Sequence, residues 1–225
     1  TYTVSGTLSL NGQAAGTEVK LRSTSSGTRY TLNVVSSQTV SYVDVKDSNA
    51  SGNDITANNS INTGNNDDAE ASPHWVFVVV LSISVSPTTW DVGTVDAGSE
   101  TLSSAIVVTN DGNVTETFNL KLADPADWTA VQAGVPSTDQ YILGAICKTT
   151  APATTDYVDN EDMLSTVYVS PTVNIFSLNA GAAGEKCYTV AVLATRNLWL
   201  YFYAPSSTTV GTSQSITVTI QATAS

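Results

Sequence analysis

Along most of this chain apolar and polar residues alternate with the period of two that turns one face of a β-strand to a core and the other to water. Tyr2, Val4, Leu8 and Leu10 alternate with polar neighbours up to Asn11-Gly12, and Val19 with Leu21 resumes the pattern; the Asn-Gly pair between two such runs predicts a β-hairpin. After a turn at Ser25-Ser26-Gly27, strands are expected over 30–34 and 40–45. The phase slips between Tyr42 and Val43, as at a bulge or at the corner of a solenoid. From Trp75 to Leu81 every residue is apolar, and from Leu81 onward apolar residues alternate with Ser82, Ser84 and Ser86. The stretch 75–85 reads as one long strand, buried on both faces at first and on one face later, serving either as a spine between two units or as a strand offered to a neighbour.

Further on, Trp90, Val92 and Val95 precede an apolar run over 105–108, a turn at Asn110-Asp111-Gly112-Asn113, and the alternating Phe118, Leu120 and Leu122. A strand is expected over 141–147 and a polar excursion over 148–162. One bent strand or two follow over 167–178 around Pro171, then a turn at 180–184 and strands over 187–193 and 198–203. Ile216, Val218, Ile220 and Ala222 alternate with polar residues in a last amphipathic strand, and no segment longer than a turn or two has a helical period. The prediction is an all-β fold. It has a small N-terminal β module, 1–74, with a long Asn/Asp/Ser-rich loop over 46–73, and a C-terminal Ig-like or jelly-roll β-sandwich, 75–225.

Composition narrows the setting. With 225 residues, 41% of them hydrophobic, the chain has material for one good core or two modest ones. Eight Lys and Arg against 20 Asp and Glu give a net charge of −12, the wrong sign for nucleic acid or an anionic membrane surface. The unbroken apolar run falls well short of the roughly 20 residues needed to cross a bilayer, so no membrane insertion is expected. Only 12% of residues are charged, so Ser, Thr, Asn and Gly cover the surface, as in secreted β-rich proteins. Cys147 and Cys187 read in that setting as one disulfide, the alternative being two buried thiols. Its loop of about 40 residues would contribute at most roughly 4 kcal/mol. Thr1-Tyr2-Thr3 already begins a strand, so the chain reads as a mature, exported form whose signal peptide has been removed.

Two stretches resemble known families. Residues 43–53, Ile55-Thr56-Ala57, Asn59-Ser60, Gly64-Asn65-Asn66 and Trp75-Val76-Phe77 resemble a segment that recurs in large secreted bacterial surface proteins, often beside parallel β-helices. The likeness spans about 28–77, with residues 67–74 inserted before the tryptophan. It implies a structural role at the cell surface and no enzyme. Residues 82–128, with Pro87-Thr88-Thr89-Trp90, Val95-Asp96-Ala97-Gly98 and Val108-Thr109-Asn110-Asp111-Gly112-Asn113, resemble the Ig-like modules appended to secreted hydrolases and surface proteins. The same layout with its long final strand is similar to the sandwich of donor-strand-linked filament subunits related to the TasA biofilm fibre.

Chemistry is sparse. His74 is the single histidine, which rules out a multi-histidine metal site and leaves one base for a catalytic triad, and no serine stands in a nucleophile-elbow pattern. The acidic residues lie in polar loops, without the apolar setting that raises a catalytic carboxyl. No enzyme is expected. Calcium is the one cofactor the pattern admits, because Asp47, Asn49 and Ser51 match the first half of a calcium loop. Position twelve of that loop is Asn58, and the acidic residues Asp156, Asp159, Glu161 and Asp162 have no recognised spacing. Trp90, Trp128, Trp199, Tyr201 and Tyr203 suggest sugar stacking or, the commoner use in strands, core packing.

The functional expectation is a structural subunit of an extracellular filament or surface fibre, a homopolymer joined by β-strand addition. Its terminal strands, Tyr2, Val4, Leu8 and Leu10 at one end and Ile216, Val218 and Ile220 at the other, are regular and nearly free of charge. The alternative is a carbohydrate-binding or adhesin Ig-like module with a glycan partner. A viral capsid or tail protein shares the pattern.

Overall fold

In the first part of the chain, strands of two to five residues carry Val, Leu and Ile inward, and positive-φ residues between them bend the backbone. The structure, a computed structural model, describes residues 1–177 and 184–225. Leu178 and all but the last residue of the Ala-Gly turn expected over 180–184 lie outside these residues. The fold is all-β, in two compact units: Thr1–Leu81 with Asp111–Val114, and Ser82–Asn110 with Thr115–Ser225.

In the first unit β1 (Tyr2–Val4), β2 (Leu8–Asn11) and β3 (Val19–Leu21) form one turn of a three-faced coil. The second turn is β4 (Tyr30–Val34), β5 (Gln38–Ser41) and β6 (Val43–Val45), and the third is β7 (Ser48–Gly52), β8 (Ile55–Asn58) and β9 (Ile61–Asn62). A final strand, β10 (Trp75–Phe77), lies beside β8. All pairings are parallel. Leu32 lies beside Ala50 and Val40 beside Ala57, so the later turn takes 17 or 18 residues. Tyr42, Asp47 and Asn59 turn the corners at φ of 49°, 59° and 47°. The phase slip at Tyr42 is thus a corner. Inside the coil Leu8, Leu32, Val34, Val40, Val43, Val45, Ile55 and Trp75 form one buried core.

The coil overturns two sequence expectations. There is no hairpin at Asn11-Gly12: β2 pairs with β5 and β3 with β6, both in parallel. Gly12 is glycine for another reason, since a Cβ there would sit 2.3 Å from the Tyr42 carbonyl of the next turn. Nor is 46–73 simply a loop. It holds β7, β8 and β9, whose Ser48, Ala50, Ile55 and Ala57 face inward while small polar residues face out.

The asparagine and aspartate residues after β9 close the end of the coil. The exposed backbone of β7 is met by side chains: Asn66 Oδ1 accepts from Ser48 N at 3.0 Å, Asn66 Nδ2 donates to the Val45 carbonyl at 2.9 Å, and Asp67 Oδ1 accepts from Ala50 N at 2.9 Å. Trp75 Nε1 donates to Ser48 Oγ at 3.0 Å. Arg29 holds this cap with donations to the Asn65 and Asn66 carbonyls and to Glu70 Oε1.

The stretch 75–85 is not one strand. β10 ends at Phe77, and β11 (Ile83–Ser86) begins six residues later in an antiparallel pairing of the second unit. Between them Val78, Val79 and Leu81 are exposed. Asn113 takes the place of a strand partner here, accepting from Val80 N at 2.8 Å and donating to the Val78 carbonyl at 2.7 Å.

The second unit continues with β12 (Glu100–Leu102), β13 (Ile106–Asn110), β14 (Glu116–Ala123), β15 (Thr129–Ala130), β16 (Gln140–Cys147), β17 (Thr195–Tyr203) and β18 (Thr217–Ala224). One layer has the order β11-β13-β17-β16-β15, with β12 also on β17; the other is built on β14 paired with β18. This is a two-layer sandwich. Phe118, Leu120 and Leu122 of β14 face Tyr141, Leu143, Ala145, Leu198, Leu200 and Phe202 of the larger layer in one core. The outer face of that layer is covered too, because Tyr157 and Met163 from the polar excursion pack on Ile142, Ile146 and Tyr201. Hence β16 and the middle of β17 are apolar on both faces. Over 167–177 the chain makes only isolated bridges, Val169 with Leu120 and Ser177 with Cys147. Cys147 and Cys187 form a disulfide with Cα atoms 5.5 Å apart. Phe118 N bonds to the Cys187 carbonyl, so this link ties the β14 layer to β16.

Candidate functional site

The two layers of the sandwich do not close on every side. On its far edge β14 is covered by the Val169 and Val190 segments, and on the near edge by β18, which has no further partner among the described residues. In the other layer β11 pairs only with β13 among the described residues. Two strand edges therefore face the same opening, and between them lies a groove of about 790 Å³. Its floor is the core itself: Ile106, Leu143, Leu198 and Phe202 from the larger layer, with Val218 of β18 and Ile216 just before it. The groove is framed by Pro87 to Val95 on one side and Val210 to Ser215 on the other. Because of this opening, Ile216, Val218 and Ile220 remain half-buried although they are the core-facing residues of their strand.

The register shows what the edge of β18 offers. Ser225 N bonds to the Thr115 carbonyl, and Ala224 lies opposite Glu116, so the odd-numbered residues of β18 bond inward to β14. The N–H groups of Val218, Ile220 and Ala222 point to the open edge. On the other side of β14 the even-numbered residues bond onward, Phe118 N to the Cys187 carbonyl and Leu120 N to that of Val169, which confirms the phase. An unpaired row of N–H and C=O groups beside an apolar floor is the arrangement that accepts an added strand: hydrogen bonds supply affinity, and alternate side chains fill the floor.

The other candidate residues are placed as follows. Tyr2 and Val4 lie on β1 beside β4, and Leu8 and Leu10 on β2 beside β5, so these segments are paired along one edge within the coil. Asp47 accepts from Asn65 Nδ2 at 2.6 Å and Gly27 N at 3.0 Å, bonds that hold its pKa below the ordinary carboxylate range. Asn49 Oδ1 accepts from the Arg29 guanidinium, while Ser51 stands two positions further along β7. Among the described residues no three His, Cys, Asp or Glu side chains gather as a metal site. His74 donates its backbone N–H to Asp54 Oδ1 at 3.0 Å, with Nδ1 3.4 Å from the same oxygen.

The acidic residues after 155 are dispersed in role. Asp156 pairs with Lys148 at 2.7 Å. Asp162, buried, accepts from Val158 N and Phe176 N and stitches the excursion to the turn at Phe176, where φ is 56°. Burial pushes its pKa up to about 6. The tryptophans serve packing: Trp128 stacks on Phe202 with ring centres 6.4 Å apart, Trp90 packs against the main core, and Trp199 Nε1 donates to the Lys148 carbonyl at 2.8 Å.

Sequence reasoning found β18 but missed the rest of the groove. Ile83 and Val85 showed the right alternation, and the Trp90, Val92, Val95 segment was visible. That they frame one opening with residues 216–220 depends on pairings such as Ile106 with Leu198 and Leu120 with Ile220, far apart in the chain, for which a local pattern carries no signal. No family model, curated protein or solved structure matches the chain.

Proposed function

We propose that the chain is a structural subunit of an extracellular filament or surface fibre, joined to its neighbours by β-strand addition. The observation that carries this reading is the groove of about 790 Å³ flanked by the open edges of β11 and β18. A neighbouring copy's extended segment, apolar at alternate positions, completes the sandwich there, and each Val or Leu side chain it buries contributes about 1.5–3 kcal/mol. The low charge content and the Cys147–Cys187 disulfide fit an oxidising, extracellular setting. Among the described residues no helix is long and apolar enough to cross a membrane.

Two parts of the molecule are rigid supports in this reading. The coil is a stacked, capped body whose length grows by whole turns, a geometry suited to a spacer. The disulfide fixes the sandwich on the side of β14 away from the groove. Negative-stain electron microscopy of the purified chain, with boiled and unboiled gel lanes, tests the proposal. Filaments, with a detergent-resistant ladder that collapses on boiling, are expected. Uniform single particles and one band in both lanes would refute it.

A further inference from the structure

On the outer face of the larger layer, away from the core, lies a second cleft of about 300 Å³, the size of a small-ligand site. Tyr201 and Tyr203 project from β17 onto this face, and Glu100 stands directly opposite Tyr203 on β12. Tyr157 stacks on Tyr201 with ring centres 5.0 Å apart and planes at 26°, and Tyr203 lies 6.4 Å beyond. Gly144 makes room for the stack: a Cβ there would lie 2.8 Å from the Tyr157 ring and 3.3 Å from that of Tyr201. Asp159 joins from the covering excursion, held by Gly134 N on its Oδ2 at 3.0 Å.

The charges of this cleft are one-sided. Neither Glu100 nor Asp159 forms an ion pair among the described residues, whose four pairs lie elsewhere. The cations of the sandwich are all engaged away from it. Lys148 pairs with Asp156, Lys121 lies 4.5 Å over the Tyr168 ring, Lys186 lies 4.7 Å over Tyr188, and Arg196 donates to the Lys186 and Thr195 carbonyls. Burial and the nearby Glu100 carboxylate, which accepts the Tyr201 hydroxyl proton in a hydrogen bond, push the Tyr201 pKa up, so its phenol stays neutral. An ammonium ion over a tyrosine face is a pairing this molecule already makes twice, and two carboxylates beside the rings strengthen it.

We propose that the cleft bounded by Tyr157, Tyr201, Tyr203, Glu100 and Asp159 binds an alkylammonium group, with the half-buried Tyr203 ring, backed by the buried Tyr157–Tyr201 stack, against its alkyl stem and the two carboxylates at its charged end. The proposal goes beyond assembly and holds whether or not the chain polymerises. A hard cation such as calcium fits poorly, because it wants six or more oxygens and the walls here are mostly rings. The alkylammonium belongs either to a free amine or to the lysine side chain of a polypeptide.

Calorimetric titration of the intact chain with n-butylammonium chloride, Nα-acetyl-lysine methylamide and methyl glucoside, at fixed ionic strength, tests this. Both amines are expected to saturate with Kd of about 1–10 mM, the range that so few ligand atoms support. The tighter of the two assigns the source, free amine or polypeptide lysine. Glu100→Gln and Tyr203→Leu should each weaken binding by about fivefold to tenfold. Thermal unfolding checks that both variants remain folded. Absence of saturation by either amine, binding unchanged in Glu100→Gln, or preference for methyl glucoside would overturn the proposal.

Discussion

The last turn of the coil and the sandwich handle their exposed backbone in opposite ways. Where the coil runs out of strands, side chains replace them: Asn66 and Asp67 bond the free edge of β7, and Asn113 bonds the chain after β10. Where the sandwich runs out of strands, β18 and β11 keep open edges over an apolar floor. An edge sealed by asparagine and aspartate resists further pairing, and an edge left bare beside half-buried Ile216, Val218 and Ile220 invites it. The first turn of the coil shares the bare-edge condition, since β1, β2 and β3 each end a sheet, but only the sandwich edge borders an apolar groove of about 790 Å³.

The largest expected effect tests whether the coil is held by its core. Trp75 is fully buried, and Trp75→Ala should cost about 3–5 kcal/mol. Urea unfolding followed by far-UV circular dichroism would measure it; a loss below about 1 kcal/mol would mean that the tryptophan closes nothing.

Next comes a test of charge burial in the sandwich. The Asp162 carboxyl has its pKa raised from 3.8 to about 6 in the fold, chiefly by burial. An acid that holds its proton more tightly folded than unfolded stabilises the fold fully below about 3.8, and this part is lost as pH rises through about 6. The group should therefore contribute roughly 2–3 kcal/mol more at low pH than at pH 7. Chemical denaturation across that window should show this slope in the difference between the wild type and Asp162→Asn, which removes the opposing slope of the carboxylates held low elsewhere.

The seal itself is tested by Asp67→Ala. It leaves the buried Ala50 N–H without its acceptor and should cost roughly 1–3 kcal/mol, while Asp67→Asn, which keeps an oxygen, should cost less. Equal losses for the two would show that the aspartate does not cap.

The smallest stability effect belongs to the bare edge. Ala222 points its N–H away from β14, where proline is tolerated, so Ala222→Pro should change monomer stability by less than about 1 kcal/mol. If the edge accepts strands, the same change should suppress assembly.

Much of this was legible and some was not, for definable reasons. β11, β13, β14 and β18 announced themselves by alternating or apolar runs, and residues 198–203 showed their central place by lacking a polar face; the short β12 and β15 gave no such signal, and the strands expected over 167–178 and 187–193 make only bridges among the described residues. The disulfide followed from two cysteines in a chain of low charge. The coil misled because a parallel strand and a hairpin strand share the same alternation. Asn11-Gly12 looks the same whether glycine makes a turn or lets Tyr42 approach, and β2 finds its partner at Gln38, not next door. Residues 46–73 looked like loop because strands of two to five residues with Ser and Ala inside have no hydrophobic signature. Residues 75–85 looked like one strand because Val78, Val79 and Leu81 are apolar yet exposed, their backbone held by a distant asparagine. The groove and the tyrosine cleft were the least visible, since both are gaps between elements and not properties of any one segment.

Amide hydrogen exchange at Val218, Ile220 and Ala222, compared between dispersed and assembled material, tests the central claim most directly. Strand addition predicts that these three amides, exposed at the edge of β18 in the single chain, become slow to exchange on assembly while the inward-bonded Thr219 and Gln221 change little. Assembly that leaves all three as fast as before would contradict the account and place the contact elsewhere.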